Sequence, residues 1–140
     1  MLRLERKSKM RPWYLLTVVF VLSNPARAAY DQGGQLQTFR CPFRVVINNV
    51  GAKPGVVTFT FDFKARKYAA KHDNKPYDPW QNLVSFNQNQ IVMSEIRNES
   101  TASEAINLFT GEYGYTQLSP TGAMLQALAG KCTRVPAETP

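Results

Sequence analysis

The sequence predicts an exported, mainly all-β domain: a small antiparallel barrel or curved meander of six to seven short strands, closed by one disulfide. Three observations carry that expectation. Apolar residues occupy every second position over Phe39 to Ile47 and again over Val57 to Ala65, and a period of two belongs to a strand with one buried face. Turn-forming clusters recur at roughly 8–12 residues, the spacing of short strands in a barrel or sandwich. The two cysteines, Cys41 and Cys132, sit near the two ends of the patterned region.

The first segment, Met1 to Ala28, has the three parts of a cleavable signal peptide. Arg3, Arg6, Lys7, Lys9 and Arg11 form a cationic leader, and Trp13 to Leu22 is a nearly all-apolar run of ten residues. Such a run rises about 15 Å as a helix, half the hydrocarbon thickness of a bilayer, so it suits a signal better than an anchor. Ser23-Asn24-Pro25 then breaks the helix, and Ala26-Arg27-Ala28 offers small residues for cleavage after Ala28. Processing would leave no transmembrane anchor, and the compartment would be periplasmic or secreted.

This segment also accounts for most of the charge. The 140-residue chain carries 17 Lys and Arg against 10 Asp and Glu, a formal +7. Six of those cations and one acid lie before Ala29, so the remaining 112 residues carry 11 against nine, or +2. That is too little for a nucleic-acid footprint. The length excludes a multidomain enzyme.

Residues 29–35, with Gly33-Gly34, read as a flexible lead to a single β-domain over 36–135. The first strand places Phe39, Cys41, Phe43, Val45 and Ile47 on one face, and Pro42, which has no N–H, marks an edge, a bulge or a break. Asn48 to Gly51 and Pro54-Gly55 make a turn. The second strand then places Val57, Phe59, Phe61, Phe63 and Ala65 inward and Thr58, Thr60, Asp62 and Lys64 toward water. Lys67 to Trp80 is rich in turn formers and reads as a polar loop, with Trp80 expected to pack back on the core. Leu83 to Phe86 and Ile91 to Ile96 read as short strands, Asn98 to Glu104 as a loop, and Ile106 to Phe109 with Glu112 to Leu118 as a hairpin around Thr110-Gly111. Ala123 to Ala129 admits a short helix or a strand. The strand is preferred, because its neighbours are strands and Cys132 must return to Cys41. Residues 136–140 read as a frayed tail.

The chemistry-bearing residues are few. A Cys41–Cys132 disulfide is expected of two thiols in an oxidising compartment, and no Cys-x-x-Cys is present for thiol exchange. His72 is the lone histidine, and no nucleophile elbow, P-loop, dinucleotide fingerprint or metal-ligand spacing accompanies it. No catalytic residue, cofactor or metal is therefore assigned. The one concentration of charge runs from Lys64 to Lys75. It makes Lys64, Arg66, Lys67, Tyr68, Lys71 and Lys75 a candidate binding surface for an anionic envelope or secreted partner, against the simpler reading of a solvated strand end. The expected role is a small, non-enzymatic binding protein. Its rival is a carrier holding an apolar ligand among Phe59, Phe61 and Phe63.

Overall fold

The computed structural model describes residues 35–97 and 99–140; the signal peptide and most of the flexible lead expected from the sequence lie outside the described residues. Among the described residues there is no helix. A single antiparallel sheet of ten strands curls into a half-barrel. The strands are β1 (Gln37–Asn48), β2 (Gly55–Asp62), β3 (Lys67–His72), β4 (Gln81–Asn82), β5 (Ser85–Phe86), β6 (Gln90–Arg97), β7 (Ser100–Asn107), β8 (Glu112–Leu118), β9 (Met124–Lys131) and β10 (Thr133–Val135). The count exceeds the expected six to seven because three of these elements are only two or three residues long. Met124–Lys131 is a strand, and the helix alternative is excluded.

Strand order is β4-β3-β2-β1-β9-β8-β7-β6-β5, with β10 also on β1. The two ends of this path, β4 and β5, are separated in sequence only by Leu83 and Val84. That short crossover closes one end of the seam. Leu83 N–H donates to the Arg66 carbonyl and Val84 N–H to the Val92 carbonyl. Phe63 and Phe86 meet across the closure at 5.1 Å, and the Arg66 guanidinium lies over the Phe86 ring at 5.0 Å. Beyond this clasp the two walls separate, and the half-barrel opens.

β1 organises the sheet. It pairs with β2 through Phe43, and on its other side first with β10 (Thr38–Arg40) and then with β9 (Phe43–Asn48). Both segments share one register, Arg40 opposite Thr133 and Phe43 opposite Gly130, so Cys41 faces Cys132 directly. Pairing lapses between them because Pro42 has no N–H for the ladder, while Pro42 remains opposite Val56 on the β2 side. The disulfide bridges this interruption with Cα atoms 4.0 Å apart, close to the spacing of a non-hydrogen-bonded cross-strand pair. Gly130 is required beside it: a Cβ there would lie 2.1 Å from the Pro42 carbonyl oxygen.

The inner face is a stack of rings. Phe59 and Phe61 are fully buried and stack at 5.9 Å, with Phe39, Tyr68 and Tyr113 against them. Ile91, Met93 and Ile106 complete the core from the opposite wall. Full burial of such side chains is worth about 1.5–3 kcal/mol each, so this cluster is the main source of cohesion.

Six expectations are corrected. The inward alternation of β1 fails at Ile47, which is 37% exposed, because a register shift between Val45 and Ile47 redirects the strand end. Ser100 to Glu104 belongs to β7 and Lys67–His72 is β3, so neither is a loop. Trp80 is 39% exposed and is not a core anchor. The outer face of β2 is not wet, and the tail is not frayed. Thr38, Thr60 and Ala69 are fully buried on that face, where Thr38 and Thr60 hydroxyls share a hydrogen bond of 2.8 Å and Tyr77 joins Thr60 at 3.0 Å. The Glu138 N–H donates to Thr38 Oγ1, and its carboxylate takes bonds from Lys71 Nζ and the Tyr77 hydroxyl.

Candidate binding site on the concave face

The opening in the half-barrel lies between β3 with the segment leading into β4 on one side, and β7, β8 and β9 on the other. It encloses a hollow of about 110 Å3. Registers explain its lining. Tyr68, Ala70 and His72 are alternate inward positions of β3, while Tyr113 with Tyr115 and Leu128 with Gln126 are alternate positions of β8 and β9. Glu104 is paired with Tyr115, and Ile106, two residues along, is paired with Tyr113. Moving two residues toward the opening therefore exchanges Ile106 for Glu104, Leu128 for Gln126 and Tyr68 for Ala70 and then His72. The same strands build a dry core at the closed end and a polar hollow at the open one.

Two pairs of these polar groups are held by hydrogen bonds. The buried Tyr113 hydroxyl donates to Glu104 Oε1 at 2.7 Å, and the Tyr68 hydroxyl to Gln81 Oε1 at 3.0 Å. Burial first, and the Glu104 carboxylate second, push the Tyr113 phenol far up, so it stays a donor throughout the physiological range. Asp78 enters from the segment before β4, anchored by its own N–H to the Ala70 carbonyl at 2.8 Å. The floor is aromatic: Tyr113 contacts Phe59 and Phe43 at centroid distances of 5.8 and 6.4 Å. Among the described residues the lining thus holds two carboxylates, three phenol rings, two amides and the His72 imidazole, and no Lys or Arg. Among the described residues, no three of the His, Cys, Asp and Glu side chains come together as a metal-binding group.

The sequence-derived basic surface is distributed differently. Lys64 and Arg66 occupy the β2–β3 turn, where Arg66 adopts φ 56° and covers Phe86. Tyr68 points to the inner face and is buried, so it cannot belong to an outward surface. Lys67 is exposed; Lys71 is bound to Glu138 and lies 4.8 Å from the Tyr77 ring centre. Lys75 is exposed beyond the other end of β3. A six-residue strand spans about 20 Å, so the turn cations and Lys75 stand at opposite ends rather than in one patch. Phe59, Phe61 and Phe63, the proposed apolar lining of a carrier, pack against one another and fill the closed end. An apolar ligand would have to displace them.

His72, placed by sequence in an exposed loop, ends β3 at the rim of the hollow. Glu104, Tyr113, Tyr115 and Gln126 escaped sequence reasoning. Their signal was the polar residue at a period-two position inside an apolar strand, which becomes meaningful only once distant strands are in register.

Against known proteins, no family model, curated sequence or solved structure matches the chain.

Proposed function

We propose that the protein is an exported, non-enzymatic binding module that receives part of its partner in the concave hollow between β3 and β7–β9. The observation that carries this reading is the change of polarity along the inner face, from packed rings at the clasp to held polar groups at the opening. Folding alone gains little from setting the Asp78 and Glu104 carboxylates at a core margin, since removing a charge from water costs energy unless it is repaid. Binding sites are built in this way, as concavities with apolar walls and a few fixed polar groups.

Export is supported by the signal-like first segment and by the disulfide, which is consistent with an oxidising compartment. Among the described residues no helix is long and apolar enough to cross a membrane. Intact mass of protein recovered outside the cytoplasm should correspond to a chain starting at Ala29 with two hydrogens fewer than the dithiol. A retained Met1 or free thiols would remove the compartment from the proposal.

A photo-crosslinking residue at position 126, inside the hollow, should give a discrete adduct in exporting cells, and one at position 109, in the exposed turn between β7 and β8 at the other end of the sheet, should not. Equal labelling from both positions, or none from position 126, would place binding elsewhere.

A further inference from the structure

We infer that the hollow recognises an organic cation bearing N–H donors, an alkylammonium or guanidinium headgroup. This rests on the reading of the hollow as the binding site and names the chemistry of what enters it. Three features converge on that class. The lining supplies acceptors: the Asp78 and Glu104 carboxylates and the side-chain oxygens of Gln81 and Gln126, with no Lys or Arg among the described lining residues. Its walls include the rings of Tyr68, Tyr113 and Tyr115, whose faces attract cations. Its size is restrictive. An apolar cavity of about 150 Å3 accommodates benzene, so about 110 Å3 admits a headgroup smaller than benzene and excludes a fatty chain or a folded segment.

The fixed geometry favours a charged donor over a neutral one. One oxygen of Glu104 already accepts from Tyr113 at 2.7 Å, which orients the carboxylate before any ligand arrives. A carboxylate has about four lone-pair sites, and charge-assisted bonds to it are roughly twice as strong as neutral ones. An anionic ligand would instead meet two carboxylates in a partly enclosed space. The inference reverses the charge expected of the partner from the Lys64 to Lys75 stretch, because the cations of that stretch are scattered or engaged while the acids share a concavity.

The test is an NMR titration of the folded, disulfide-bonded protein with propylguanidinium, butylammonium, tetramethylammonium and butyrate. The first two should shift the side-chain amide signals of Gln81 and Gln126 saturably, in the millimolar range. Tetramethylammonium, which has no N–H, should bind more weakly, and butyrate should leave those signals unmoved. Glu104→Gln keeps an acceptor for Tyr113 and removes the charge, so affinity should fall about tenfold or more. Should that variant lose its native spectrum, Asp78→Asn carries the same comparison. A capped glycine-rich peptide with one central arginine separates the sources: tighter binding than propylguanidinium assigns the site to a protein side chain, and weaker binding to a free small cation. Equal shifts with butyrate, no response to either N–H cation, or undiminished binding in the charge-neutral variants would overturn the inference. If position 126 still crosslinks in that case, the hollow remains the binding site and only the class of ligand is wrong.

Discussion

The two faces of β1, β2 and β3 are covered by unlike means. On the inner face, Phe39, Phe59 and Phe61 are sealed by the opposite wall of the same sheet and by a covalent bridge. On the outer face, Thr38, Thr60 and Ala69 are sealed by Tyr77 and by the segment that carries Glu138, through bonds between hydroxyls, one amide and one carboxylate. The first cover is apolar and cannot be peeled away without unfolding the sheet. The second is polar and local. In a sheet this small the difference separates what holds the fold from what merely keeps water off its back.

The covalent bridge offers the largest test of that division. Replacing Cys41 and Cys132 together with Ala removes a link across 91 residues, for which loop closure gives about 4–5 kcal/mol, read as a lower urea midpoint with a steeper slope, since the unlinked unfolded chain is more expanded. A loss below about 1 kcal/mol would mean that β1 and β9 are held by their ladder alone. Phe59→Ala comes next. It opens a void beneath Tyr68 and Tyr113, and a cost of about 3–5 kcal/mol is expected for a buried Phe. It should also blur the hollow, so weakened crosslinking at position 126 would tie the core to the site above it.

The inner face could be read from the sequence, and the outer could not. Val57, Phe59 and Phe61 announce themselves by alternation, and Cys41 lies in the matching register of β1. Nothing local marks Thr38, Thr60 and Ala69 as buried, because threonine and alanine are as common on wet faces. Their burial follows from a contact between Glu138 and Thr38, 100 residues apart. The same limit applies to the hollow. Ser100 to Glu104 is Ser-Thr-Ala-Ser-Glu, with too little apolar signal to be recognised as a strand, yet pairing with β6 and β8 makes it one and delivers Glu104 to the opening. The sequence-derived basic stretch is divided in space for the converse reason. Adjacency along β3 separates Lys67 and Lys71 from Tyr68 by alternation of faces, and the strand's length separates both ends.

On the outer face, Thr60→Val tests whether the hydroxyl chain matters. The methyl shape is retained, while Thr38 and Tyr77 each lose one partner and keep another in Glu138. The expected cost is about 1 kcal/mol, several-fold below that of Phe59→Ala. An equal cost would erase the distinction between the two covers.

The smallest effect belongs to Glu138, and pH gives it a direction. Its bonds from Lys71 and Tyr77 hold the carboxyl below its ordinary range. The stability it lends is therefore fully present above the unfolded-state value and is lost as pH falls through the depressed native one. Because the Glu138 side chain is 41% exposed and that of Lys71 25%, the contribution should stay under about 1 kcal/mol. At the alkaline end Tyr77, pushed up to about 12 chiefly by burial and further by Glu138, stays protonated where an unfolded tyrosine ionises. Stability should thus decline as pH rises between its ordinary value of 10 and about 12. Glu138→Gln should flatten the acid limb and move the ultraviolet titration of Tyr77 downward, leaving the urea midpoint at neutral pH nearly unchanged. A large drop in that midpoint would show that the tail holds the fold as firmly as the rings do, and the two faces would no longer differ in kind.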